Sequence, residues 1–486
     1  MSPTLALWCC AAFVMFALWV DRYREPRVFG ANWIAVAWVC ILASRPIAQW
    51  LDPSPVNFGS DAQDGSPMDR NVLSALIFFA FLVLVQRSWF RWSAWIGQNK
   101  WVFLLFLYCG LSIVWSEFPQ IALKRWLRAV GSIMIILVVL SDRHPVEAIA
   151  TVVRRMSFIL IPFSIVLIKY YRWLSVEHNT WTGEEFLVGV TTDKNALGRL
   201  CLICAVFSIW ELLWAGKEGV KKHLVGKAIQ LSVLALTLWL LVASKSSTSL
   251  VSFLLACAVL VVLGFKSIRK RAGYLGTATL VIAACGAALS AAFDLPELIV
   301  GSLGRNMTLT DRAFLWADLL AWPIDPVIGV GYDSFWLGQR LDHFVKVHQV
   351  NEAHNGFLEV YLELGFIGLG LFGFFLLGLF FRAKQSLIND GAYGQLRMAM
   401  LAVFVSYNIT EAGYKATTLI FFTLLLVALQ IPGRTEHAAL HPEVEPGSGP
   451  EGSPGASGVL RRTPRATTPE THAHATKART HKRSAA

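Results

Sequence analysis

Apolar runs long enough to cross a bilayer recur along this 486-residue chain, and polar clusters separate them. The runs fall at 4–20, 28–47, 71–87, 101–116, 126–141, 156–171, 195–215, 228–244, 249–266, 274–293, 356–381, 396–412 and 416–431. None alternates in polarity, as lipid-facing barrel strands would, so the spans are read as helices that satisfy their own backbone. The pattern predicts an all-α integral membrane protein, a polytopic bundle of about 11–13 transmembrane helices over residues 1–432.

Charge sets the expected sidedness. Short loops carrying Arg22, Arg24 and Arg27; Arg87, Arg91 and Lys100; Arg143, Arg154 and Arg155; Lys217, Lys221, Lys222 and Lys227; Lys266, Arg269, Lys270 and Arg271; and Arg382, Lys384 and Arg397 are each two spans apart. All therefore lie on one side, which the positive-inside rule makes cytoplasmic. The other side receives 48–70, 117–125, 172–194, the turn near 245–248, the long loop 294–355 and the turn near 413–415. A loop as long as 294–355 is expected to be functional, with short surface helices in "TLTDRAFLWADLLAWPIDP".

Composition agrees. Charged residues make up 15% of the chain, against roughly 25% in a soluble protein. The net charge of +11 sits in the loops, which argues against a nucleic-acid partner. The eight cysteines lie in apolar segments, so neither disulfides nor a zinc site is expected, and the Cys201–Cys204 CxxC reads as packing. Residues 5–20 lack a preceding basic residue and a clear cleavage site, and read as a retained span. The Pro-, Gly-, Ser- and Thr-rich tail 433–486 cannot bury a core and is expected to be disordered and cytoplasmic.

Cations on the side where the chain should be least cationic need partners. They are Lys124, Arg125 and Arg128; Lys194 and Arg199; Lys245; Arg305 and Arg312. Singly, Arg128 or Arg199 can snorkel, and Arg312 can pair with Asp311 or Asp318. Together they suit a bound phosphate or diphosphate. His354 closes the long loop, Asn355 or Gly356 can cap the next helix, and Glu359 and Glu363 share one face of it. Glu363 falls inside the span and needs a partner or a wet cavity.

The segments "WSEFPQIALKR", "TTDKNALGRL", "SKSSTSL", "GRNMTLTDRAFLW", "GYDSFW" and "HNGFLEVYLELGFIGLGLF" follow one another over about 115–375. In that order they resemble the O-antigen ligase and polymerase family of bacterial envelope glycosyltransferases, on its exopolysaccharide-polymerase branch. The resemblance implies a GT-C-like inner-membrane enzyme with its core at about 115–432. Its donor would be a glycan on undecaprenyl diphosphate, and its acceptor a hydroxyl of another glycan or of lipid A core, at the periplasmic face. A flippase and a chain-length regulator are implied partners. His354 matches the family's proposed base, and Lys245 and Arg312 match two basic positions proposed to hold the diphosphate. The first of these is commonly arginine in ligases, and lysine lacks its bidentate fork.

A neutral imidazole, with an unperturbed pKa of about 6.5, suits the base role. Lys245, Arg312, Arg125 and Arg305 are the expected diphosphate ligands, with Asn355, Glu363, Lys194 and Asn195 in support. No Asp-x-Asp occurs, so neither metal nor cofactor is expected. The competing expectation is a small-solute transporter, which would place its charges and broken helices at the bilayer midplane.

Overall fold

The computed structural model describes residues 1–24, 28, 30–52, 66–87, 92–178, 183–215, 224–271 and 308–430. The expected span at 274–293, the start of the long loop, Arg305 and the tail 433–486 lie outside them. Helices occupy the remaining expected spans, and α4, α11 and α12 lie between them: α1 Pro3–Arg24, α2 Asn32–Leu42, α3 Pro67–Gln86, α4 Trp92–Gln98, α5 Lys100–Leu111, α6 Pro119–Leu140, α7 Pro145–Tyr170, α8 Lys194–Ala215, α9 Leu224–Ala243, α10 Ser247–Val262, α11 Thr308–Ala321, α12 Gly338–His348, α13 Gly356–Asp390, α14 Ala392–Thr410 and α15 Leu419–Ala428. Proline stands in the first turn of α3, α6 and α7, where its missing N–H costs no helical bond.

Among the described residues six helices are long and apolar enough to cross a membrane, or seven if α4 and the segment from Lys100 to Trp115 form one span. Those two meet at 96°. Asn99 fixes the corner, accepting from Arg382 at 2.9 Å and from the Gln430 backbone at 3.1 Å. Three further apolar helices, α2, α10 and α15, are shorter. The chain is thus an all-α, multi-pass membrane protein. Burial distinguishes centre from rim: 78% of the apolar window of α7 is buried, against 17% for α1. Every residue of α15 is buried.

One end of the bundle is closed by buried ions. Asp21 of α1 accepts from Arg154 and Arg155 of α7, both at 2.6 Å. Arg154 also pairs with Glu211 of α8, which accepts from Gln230 of α9 at 3.0 Å. Four helices are joined there, far along α8 and α9 from Lys194 and Lys245.

At the other end the long loop packs a small core of Leu315, Leu319, Phe335, Trp336, Phe344 and Ala353 with Leu362 of the helix that follows. It docks beside α6 through Ser116–Ser334 (2.8 Å), Ser112 to the Tyr332 N–H (2.9 Å) and Glu117–Arg340 (2.8 Å). The helix after it is not continuous. Gly365 sits at φ +64, ψ −164 and breaks α13 within its third turn. The freed carbonyls of Leu362 and Glu363 accept from Val330 and Gly331, while Phe366 and Ile367 donate to the carbonyls of Pro326 and Val327. A Cβ at Gly365 would lie 2.3 Å from the Val327 backbone, so the break needs glycine.

Candidate active site

His354 ends the long loop in a backbone conformation uncommon for a side-chain-bearing residue, φ +48. Three contacts fix it there. Trp316 donates to the Ala353 carbonyl at 2.8 Å, Ala353 N–H to Glu359 at 2.6 Å, and Gly356 N–H to the Glu411 carbonyl at 3.1 Å. A Cβ at Gly356 would fall 1.8 Å from Asn408 Oδ1, so glycine allows α13 and α14 to meet this closely. Asn355 caps α13, accepting from Phe357 and Leu358 at 3.0 and 3.1 Å.

Both ring contacts of His354 are made through Nδ1, to Glu352 at 3.0 Å and Glu411 at 3.2 Å. Burial lowers the proton affinity of the imidazole, but hydrogen bonds and charges from the two carboxylates outweigh it and push the pKa up to about 10. Burial likewise works against the Glu352 carboxylate, and His354 more than compensates, holding it below its usual range. Glu411 gathers more of the expected residues: its Oε1 accepts from Asn195 at 3.2 Å and lies 3.3 Å from Arg312. Arg312 also donates to the Thr410 carbonyl at 2.6 Å.

A second cluster lies beside the first. Asp333 Oδ1 accepts from Lys415 at 2.5 Å and Arg125 at 3.1 Å. Glu363, fully buried, lies 3.3 Å from Lys415 and accepts from the Asp333 N–H at 2.7 Å and from Tyr414. Burial opposes the Lys415 charge, but Asp333 and Glu363 hold its pKa above the ordinary lysine value. Arg125 therefore ties α6 to the long loop and does not reach His354's carboxylates.

A third group surrounds a two-stranded antiparallel hairpin, β1 Val176–His178 and β2 Glu185–Leu187. The Lys194 ammonium lies 3.8 Å from the Phe186 ring centroid and that of Lys245 5.8 Å. Lys245 pairs with Glu184. Thr248, three residues on, bonds Thr410 at 2.9 Å, and Asn195 follows Lys194, so this group adjoins the Glu411 cluster.

His354, Lys245 and Asp333 account for three of the four described non-glycine residues at positive φ; Gln349 is the other. Such conformations cost about 1–3 kcal/mol each and persist where surrounding contacts over-determine them. The ligand atoms of Glu352, His354 and Glu411 lie within 4.8 Å of one another, a spread one small cation could bridge. The neighbouring charges of Arg199 and Arg312 oppose a divalent ion there, and an imidazolium already fits between the carboxylates.

Sequence reasoning missed Glu411 and Lys415. Both lie in the stretch "NITEAGYK" at the end of an apolar run. An acid at a span end needs a partner as much as a cation does, and that is the signal Glu411 carries.

Residues 232–373 match the family model described as O-antigen ligase, a stretch that contains Lys245, Arg312, His354 and Glu363. The chain is similar to that family, as its ordered motifs implied. It is also 24% identical over 362 residues to the exopolysaccharide production protein ExoQ of Rhizobium meliloti (strain 1021), covering 70% of this chain and 79% of that protein. Glu411, Lys415, Arg125, Lys194 and Asn195 lie outside the matched family stretch.

Proposed function

We propose that this chain is an inverting membrane glycosyltransferase. It transfers a glycan from an undecaprenyl-diphosphate carrier to an acceptor hydroxyl at the periplasmic face, during production of a cell-surface polysaccharide. The observation that carries the reading is the His354–Glu411–Arg312 arrangement: one carboxylate holds both a ring nitrogen of the expected base and a cation suited to the leaving group. In this mechanism Nδ1 is anchored by Glu352 and Glu411, and Nε2 takes the acceptor proton. The acceptor oxygen bonds to the anomeric carbon as the bond to the diphosphate oxygen breaks. That oxygen keeps the electron pair, and Arg312 and Lys245 stabilise its charge. Arg125 supports the site from Asp333. With fixed cations in this role, transfer is expected to persist in excess EDTA; full loss restored by Mg²⁺ would refute that point.

The raised pKa of His354 favours a second reading, in which a permanent imidazolium stabilises the diphosphate instead of taking a proton. The pH profile separates the two. A base must first lose its Nε2 proton, so the rate rises about tenfold per pH unit from 7 toward a pKa of about 10. An imidazolium is already present at pH 7, so the rate stays level and falls only as the pH passes that pKa.

A transporter reading draws less support. Its broken helix would face a solute with freed backbone groups. At Gly365 those groups bond to the loop at 326–331.

A further inference from the structure

Arg199 lies beneath the two carboxylates of His354 and bonds to neither. On α8 it falls one turn below Asn195, whose amide donates to Glu411 at 3.2 Å. On α14 the buried Tyr407 falls one turn below Glu411, and the Arg199 guanidinium stands 5.9 Å from its ring centroid. The Arg199–Tyr407 layer is thus the floor of the Asn195–Glu411 layer. Among the described residues the guanidinium makes no hydrogen bond and no ion pair; its one close partner is that ring. Its charge nevertheless acts on both Glu352 and Glu411. Asn195 and Arg312 already fix the Glu411 carboxylate in place. Arg199 therefore supplies charge to the site and not geometry.

The charges facing His354 balance without a proton on its ring. Glu352 and Glu411 are negative, and Arg312 and Arg199 positive. The other charged neighbours are engaged elsewhere. Asp193 caps α8, accepting from the Asn195 and Ala196 N–H groups at 2.9 Å. Lys415 pairs with Asp333 and Glu363. Glu359 accepts from Trp336 and the Ala353 N–H. We propose that Arg199 is a positioning residue for the proton on His354: its fixed charge offsets one of the two carboxylates, so the imidazole can give up its proton while both stay ionised. Without it, one carboxylate has only the imidazolium to balance it, and the ring binds its proton more tightly. Arginine suits the task because it stays charged throughout the working pH range. The consequence for transfer rests on the reading of His354 as the acceptor's base; the effect on the proton does not.

The test is diethylpyrocarbonate labelling of the His354 peptide in the full chain in nanodiscs, which modifies the neutral ring and needs no substrate. At pH 9 Arg199→Met should label about tenfold more slowly than wild type, the effect of about one pH unit on the ring. Arg199→Lys should restore the rate. A merely structural role would loosen the site and speed labelling. Labelling of Arg199→Met at the wild-type rate or faster overturns the proposal, as does slow labelling that Arg199→Lys fails to restore. Transfer measured at pH 7 separates this from the functional reading. With His354 as base, Arg199→Met should lower kcat about tenfold at an unchanged donor KM. A raised donor KM with unchanged labelling makes Arg199 a donor ligand and overturns the proposal. If labelling slows and kcat does not fall, Arg199 still governs the proton, and it is the base reading of His354 that fails.

Discussion

Replacing Glu411 with glutamine removes one of the two carboxylates on His354 while keeping its size. The pair lifts the imidazole to about 10. Against an unperturbed value near 6.5 that is roughly 3.5 units, or about 5 kcal/mol at 1.36 kcal/mol per unit. Glu352 and Glu411 contribute hydrogen bonds and charge of the same kind, and burial opposes both. Loss of one should therefore remove at least half of the rise, about 2–3 kcal/mol, and bring the pKa to roughly 8. Carbethoxylation by diethylpyrocarbonate reads this without any substrate, because it modifies the neutral ring. The labelling rate of the His354 peptide, followed by mass spectrometry from pH 6 to 11, should show a midpoint near 10 in the wild type and near 8 in Glu411→Gln. Glu411→Asp should return it toward the wild-type value. A midpoint that stays in place in Glu411→Gln would refute the claim that this carboxylate controls the proton on His354.

Two predictions concern the scaffold. Gly365→Ala forces a side chain into a glycine-only backbone region, at a cost of about 1–3 kcal/mol before the clash with Val327. It should lower the unfolding temperature and uncouple the 326–331 loop, seen as faster amide exchange at Val330 and Gly331; wild-type exchange there would contradict the role given to the break. Asp21→Asn leaves Arg154 and Arg155 without their shared carboxylate, and should destabilise the bundle by about 3–5 kcal/mol. Thermal unfolding in detergent checks it, and an unchanged midpoint would show that the Asp21 network does not hold the bundle together.

The helices were readable because bilayer burial demands long, uniformly apolar runs, and His354 stood out as a titratable group at the mouth of one. Arg312 was readable as a cation needing a partner. What joins them was not. Glu411 lies 57 residues beyond His354 and meets it only because α13 and α14 pack with Gly356 against Asn408. The partner of Arg125, Asp333, is 208 residues away, and no local pattern points to it. "ELGFIG" reads as uninterrupted span, and the break at Gly365 depends on backbone bonds from the distant loop, which no local pattern encodes. The neutral-base expectation for His354 used an unperturbed pKa, and only the folded chain brings two carboxylates to one nitrogen.

The central claim is glycan transfer with His354 at the reacting centre. It is tested most directly by supplying native undecaprenyl-diphosphate-linked glycan and acceptor to the full chain in nanodiscs and following release of undecaprenyl diphosphate. The wild type should release it in step with glycan elongation, and His354→Ala, inserted and folded normally, should be slower by at least about 10²-fold. No transfer by the wild type, or transfer by His354→Ala at the wild-type rate, would contradict the account.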